Sequence, residues 1–247
     1  MFDTVMVYRQ EIFGIDEFYH VFSRGIDKRN VYMDERDFER FEKLLYLAND
    51  EQSPVNLELL KHLTPKEIFS LPRKKPLVAI GAYCLMDNHP HIVMQEKSDG
   101  GISKFMQKVG TGYTSYFNRK YDRIGNLMVK PFRAKHISDD AYLRRVVQYV
   151  HLNPAEILEP NWKQGEVGSI ETLERRLMAY THSSLPDYFA TAHSAPRFQK
   201  AILDEDVYNM ISSDFPSLKS VLKEAAIYYS VTEKSFEPKP RGRTRRN

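Results

Sequence analysis

"PLVAIGAYCLMDNHPHIVMQE", residues 76–96, is the stretch on which the fold turns. Two apolar runs rich in β-branched and aromatic residues flank Asp87-Asn88, a dipeptide with turn chemistry. Such runs read as strands, and a two-residue polar connection folds them into an antiparallel hairpin. The second run opens with His89 and His91, two apart. Side chains at i and i+2 of a strand share a face, so both imidazoles project together. Two polar strand-end residues would account for the spacing, and so would two ligands of one metal ion.

Upstream, "EFYHVFSRG" (17–25) is a short aromatic strand ended by Gly25, and "DERDFERFEKLLYLAND" (34–50) sets Phe38, Phe41, Leu44, Leu45 and Ala48 at helical spacing. Residues 50–76 are polar and proline-punctuated. They read as an insertion holding one short helix, with Thr64 as cap and Pro65 in the first helical position. Downstream, "GGISKFMQKVGTGYTSYFNRKYD" (100–122) is a long helix despite Gly110 and Gly112. "GNLMVKPFRAKHI" (125–137) is a strand region broken at Pro131. "SDDAYLRRVVQYVHLNP" (138–154) is a helix with Ser138 as expected N-cap and a stop at Asn153-Pro154.

The order β-α-β-β-α-β-α predicts an α+β fold: a ferredoxin-like antiparallel sheet with helices packed on it, expected on one face. The division expected is residues 1–160 for this domain, with the insertion at about 50–76, and 161–247 for a helical C-terminal region. In the latter, "YTHSSLPDYFA" reads as a loop, 198–230 hold two or three short helical patterns, and "RGRTRRN" is a basic tail.

The chain has 247 residues, 42% of them hydrophobic, and a net charge of +3. That balance does not by itself announce a nucleic-acid partner. A single cysteine, Cys84, excludes an intramolecular disulfide and a zinc site built on several thiolates, and fits a reducing compartment. No run of about 18 apolar residues is present, and the N-terminus has no signal-peptide pattern. A cytoplasmic protein without a membrane partner is expected.

On the last of these helices Tyr149 and Asn153 lie four apart and share a face. An amide oxygen can complete the shell of a hard cation, and a phenol held in line can attack an activated phosphorus. A core tyrosine and a capping asparagine would fit the same spacing.

"FYHVFSRG" (18–25), "YCLMDNHPHIVM" (83–94), "YVHLNPAEI" (149–157) and "HSSLPDYF" (182–189) together, in this order, resemble the single-tyrosine HUH transposases, most closely the REP-associated tyrosine transposase branch. The resemblance covers roughly residues 16–190. It implies an HUH nuclease fold and a divalent ion, Mg²⁺ or Mn²⁺, on His89, His91 and Asn153. It also implies that Tyr149 is the nucleophile that cuts and rejoins single-stranded or hairpin DNA through a 5′-phosphotyrosine, with His20 beside the metal ligands. A monomer is expected, with a homodimer as the alternative. Pro90 departs from the bulky apolar residue usual between the histidines, and a proline lacks the ladder N–H. His182 stands where tryptophan is common. "LKEAAIYYSVTEKSF" (222–236) is similar to the start of a helix-turn-helix tail that some members carry.

Phosphate contacts would come from Arg24, Lys104, Lys108, Lys130, Arg133, Lys135, Arg144 and Arg145, with Phe132 among them to stack an unpaired base. Two other readings compete with the transesterase. One is a domesticated descendant that binds hairpin DNA and no longer cuts it, motivated by Pro90. The other is a histidine-based nucleotide phosphohydrolase, which lacks a phosphate-cradling glycine loop to support it.

Overall fold

The computed structural model describes residues 12–52, 60, 62–164, 167–191 and 194–231. The basic tail and the last five residues of the helix-turn-helix-like segment lie outside them. The hairpin forms as the sequence predicts: β2 (Val78–Met86) turns at Asp87-Asn88 into β3 (His89–Glu96). β1 (Phe18–Phe22) pairs antiparallel with β3 on one side and with β4 (Arg133–Ile137) on the other, giving the order β2-β3-β1-β4. This is the ferredoxin-like arrangement, and the α+β expectation stands.

The expectation of helices on one face needs correcting, because both faces are covered. Directly opposed residues in a ladder point to the same side, so the register sorts the sheet into two faces. Tyr19, Val21, Tyr83, Leu85, Ile92 and Met94 face α1 (Glu35–Leu47) and α3 (Gly101–Lys120). Ala82, Cys84, Met86, Val93 and Ile137 face α4 (Asp140–Leu152), through its Leu143, Val146, Val147 and Val150. Every residue of β2 is buried for this reason, and a strand covered on both faces reads as an unbroken apolar run.

Local signals act much as expected. In the insertion, Thr64 and Glu67 cap α2 (Pro65–Ile68) reciprocally. α3 is continuous through Gly110 and Gly112, and Gly112 lets it approach α1, since a Cβ there would stand 3.1 Å from Leu44. Buried Glu96 ends β3 and caps α3, accepting from Gly101 N–H at 2.9 Å and Ile102 N–H at 2.7 Å. Asp139, rather than Ser138, caps α4, accepting from Tyr142 N–H at 2.8 Å. The Ser138 hydroxyl instead donates to the Asp139 carboxylate at 2.9 Å.

Beyond α4 the chain runs through α5 (Ala155–Leu158), α6 (Ile170–Met178), α7 (Leu185–Tyr188), α8 (Glu205–Ser212) and α9 (Leu218–Val231). α5, α6 and α9 close around Trp162, Leu173, Leu177 and Leu222 in a small apolar cluster of their own. The segment expected as a loop is instead a strap along β2. Leu85 N–H donates to His182 O at 2.9 Å, and Ser184 N–H donates to Tyr83 O at 2.9 Å.

Candidate active site

β3 carries His89 and His91 on the face covered by α4. His91 lies opposite Cys84 on one side and Phe22 on the other, and His20 sits diagonally across β1. The His20 Nε2 and His91 Nδ1 atoms are 2.9 Å apart. His89 Nδ1 meets Asn88 Oδ1 at 2.5 Å, and the rings of His89 and His91 are 4.7 Å apart. Burial first, then the Lys135 ammonium and His89, hold the His20 imidazole down at about 4, so it is neutral at pH 7.

Pro90 does not disturb this arrangement. It lies inside β3 opposite Leu85, whose N–H points away from β3 to the strap. In an antiparallel ladder the nitrogen of Pro90 then points away from β2 as well. It faces the β1 side, one residue past the last pair, Phe22 with His91. No ladder hydrogen bond is lost there, and the face assignment of the two histidines holds.

Tyr149 reaches the same spot from α4. Its ring stands edge-on to His20 at 5.8 Å and to His91 at 5.7 Å between centroids. Asn153 ends the helix, and its amide nitrogen donates to Tyr149 O at 2.9 Å. That bond orients the amide on one of the last helix carbonyls. Sheet and helix thus bring His20, His91 and Tyr149 together, with His89 next to His91 and Asn153 one turn after Tyr149.

The donor set suits a divalent ion in chemistry. The Nδ1 contacts fix each ring from behind, which would make Nε2 the atom turned toward a cation, as outer-shell partners commonly do for ligating histidines. An amide oxygen suits a hard ion. Among the described residues no three His, Cys, Asp or Glu side chains are grouped to hold a metal. Two imidazoles and an amide are a different donor set.

The cations divide by layer. Lys135 pairs opposite His20 and Arg133 opposite Phe22, so both share the histidine face at the β4 edge. Across the seam on α4, Tyr142 has Lys135 Nζ 5.3 Å and Arg145 Cζ 5.9 Å from its ring centre. Tyr142 was missed in the sequence reading. The signal was available, since it lies seven before Tyr149 and therefore on nearly the same helix side. Arg24 and Lys130 are exposed near this edge, and Arg144 lies 3.9 Å from Asp214.

Lys104 and Lys108 lie on α3, behind the opposite face of the sheet. Lys104 is 3.6 Å from Glu51, and Lys108 donates to the Asp50 carbonyl. Phe132 is already stacked on Phe13, with centroids 6.3 Å apart.

Among the described residues no helix is long and apolar enough to cross a membrane. No curated protein matches the chain. A solved structure to which the chain is similar is described as the REP-associated tyrosine transposase bound to a REP hairpin. It is 10% identical, covers 77% of this chain and 89% of its own, and has a TM-score of 0.48. Residues 48–153 match the model of the family described as "Transposase IS200 like". That span begins at the end of α1 and ends on Asn153, enclosing His89, His91, the β4 cations and Tyr149. The resemblance drawn from the sequence is borne out: the segment of this chain that holds its histidine pair, helix tyrosine and asparagine is similar to the IS200-like transposases.

Proposed function

We propose that this chain is a metal-dependent single-strand DNA transesterase that cleaves and rejoins hairpin DNA with Tyr149 as nucleophile. The observation that supports it best is the position of the Tyr149 ring, edge-on to both His20 and His91. Nothing in core packing requires two imidazoles and a phenol to converge at a sheet end.

His89, His91 and the Asn153 amide oxygen would hold Mg²⁺ or Mn²⁺, which supplies Lewis-acid polarisation of a phosphoryl oxygen when bound. With Nε2 as its ligand atom, His91 would carry its proton on Nδ1 and donate a hydrogen bond to neutral His20, which would fix the ring. Tyr149 Oη attacks the scissile phosphorus and releases its proton to water, which in turn protonates the departing 3′ oxygen. A 5′-phosphotyrosine bond forms, and the P–O3′ bond breaks. The 3′ oxygen leaves as a hydroxyl after protonation. The exchange of one phosphodiester for another keeps the bond energy, so rejoining requires no nucleotide cofactor. Arg133, Lys135 and Arg145 hold the backbone of the strand beside the tyrosine. Work on DNA without a membrane partner fits a cytoplasmic setting, and the monomer remains the favoured state.

The test is covalent trapping on a denaturing gel with labelled hairpin DNAs, Mn²⁺ or Mg²⁺, and EDTA as control. A metal-dependent adduct is expected in the parent chain, and Tyr149→Phe should abolish it while keeping the non-denaturing shift. An adduct that persists in Tyr149→Phe would overturn the tyrosine assignment. Binding without any adduct would favour the DNA-binding descendant.

A further inference from the structure

A cavity of about 550 Å³ lies far from the histidines, between α2 and the segment 198–209. Asp204 N–H donates to Ile80 O, which anchors that segment to the early part of β2. Met86, six residues on, pairs with His89. At about 3.3 Å per residue the two places are about 20 Å apart, so the cavity is no part of the proposed cleavage centre.

Its walls carry cations held by rings. Arg73 Cζ stands 4.4 Å from the centre of the Tyr46 ring, and a guanidinium nitrogen donates to Ala201 O at 3.1 Å. Lys200 Nζ stands 4.5 Å from the centre of the Tyr208 ring. Phe198 also lines the cavity and leaves 46% of its surface exposed. Lys66 is exposed on α2, and neither it nor Lys200 has an ion pair among the described residues. The acids of the wall offset this only in part. Asp204 is engaged in capping α8, accepting from Val207 N–H at 3.1 Å, and Glu205 follows it.

Burial pulls the Arg73 guanidinium below its usual range, yet such a group stays charged. It has five N–H donors, more than the Ala201 carbonyl and the Tyr46 hydroxyl engage. Cations held by cation–π contacts keep N–H donors for an anion. Flat apolar rings beside them favour an aromatic ligand. The volume lies within the roughly 300–1,000 Å³ usual for small-ligand sites.

We infer that this cavity binds a nucleotide, with its base against Phe198 and Tyr208 and its phosphate at Lys66, Arg73 and Lys200. The inference rests on the DNA reading only for the source of that nucleotide, which is either an unpaired position of the bound strand or a free mononucleotide.

Photocrosslinking of the full chain in EDTA tests it, because no cleavage is needed. Two probes are used: 5-iodo-deoxyuridine monophosphate, and a hairpin oligonucleotide with one 5-iodo-deoxyuridine in its single-stranded tail. Peptide mapping is expected to place an adduct on Phe198 or Tyr208. The Lys66→Glu, Lys200→Glu double variant, both at the surface, should lower its yield about fivefold or more. An adduct with the free nucleotide identifies a mononucleotide site, and one with the oligonucleotide alone identifies a second grip on the strand. Absence of an adduct at Phe198 and Tyr208 with both probes overturns the inference, whatever Tyr149 does.

Discussion

His182 joins three parts of the molecule through one imidazole. Its carbonyl accepts from Leu85 on β2, its ring stacks on Phe38 of α1 at 4.0 Å, and its nitrogens lie 3.1 Å from Glu35 and 3.5 Å from buried Glu42. Burial favours the neutral ring, but the Glu42 and Glu35 carboxylates outweigh it and raise the pKa above 6.5. A raised folded-state value means that the folded chain binds the extra proton. The stability this contributes is fully present below the unfolded value of about 6.5 and is lost as pH rises through the raised value. Urea titrations of the parent chain and His182→Gln at several pH values between 6 and 9 should therefore converge as pH rises. The local slope of their difference should not exceed about 1.4 kcal/mol per pH unit, the value for one proton. A difference that stays constant across that range would show that His182 does not titrate in this window.

Asp37 does for two elements what His182 does for the strap, and its role is structural. It lies on α1, fully buried, and accepts from Met33 N–H at 2.8 Å, Tyr116 Oη at 2.9 Å, Tyr121 Oη at 2.7 Å and Lys120 Nζ at 2.7 Å. Tyr116 therefore belongs to the packing of α1 on α3, and Tyr113, wholly buried, donates to Val31 O in the same layer. Asp37→Ala would leave Lys120 and two phenols without their common acceptor. Lys120 keeps Asp34 at 2.7 Å, so the cost is that of buried donors left without an acceptor, about 1–3 kcal/mol, and a loss of that size is expected in chemical denaturation. A loss below about 1 kcal/mol would mean that water replaces the carboxylate. The elements themselves were legible from sequence, because β1 to β4 and α1, α3 and α4 announce themselves by periodicity, turn residues and caps. Tyr149, His91 and His20 could be nominated from the motifs, and the pairing of β1 with β3 sets the His20 and His91 nitrogens 2.9 Å apart. Contacts between distant segments were not legible. Nothing in "YTHSSL" marks a sheet-edge strap, since its partner lies about a hundred residues earlier. Nothing local tells Lys135, on the histidine face, from Lys104, which faces Glu51 behind the other.

At the scale of the whole molecule, the C-terminal third completes the sheet rather than hanging from it. β2 is an outer strand, and an unpaired sheet edge invites pairing with another chain. Here that edge is covered. Tyr83 N–H donates to the Ser184 hydroxyl at 2.9 Å, Leu85 N–H donates to His182 O, and Tyr180 Oη donates to Leu85 O at 2.6 Å. α8 adds Val207 and Ile211 to the apolar cluster beneath β2, where both stand 3.0 Å from a Cβ built on Gly81. A chain ended at Pro160, the boundary expected from sequence, would bare that edge and that apolar face together. The four strands and α1, α3 and α4 would all remain, so a self-sufficient domain should still fold. The contacts argue that it does not: the fragment is expected to self-associate in sedimentation and to lose a cooperative thermal transition, whereas the full chain keeps one. A monomeric fragment that melts cooperatively at the temperature of the full chain would show instead that the strap and α8 merely lie against a finished core.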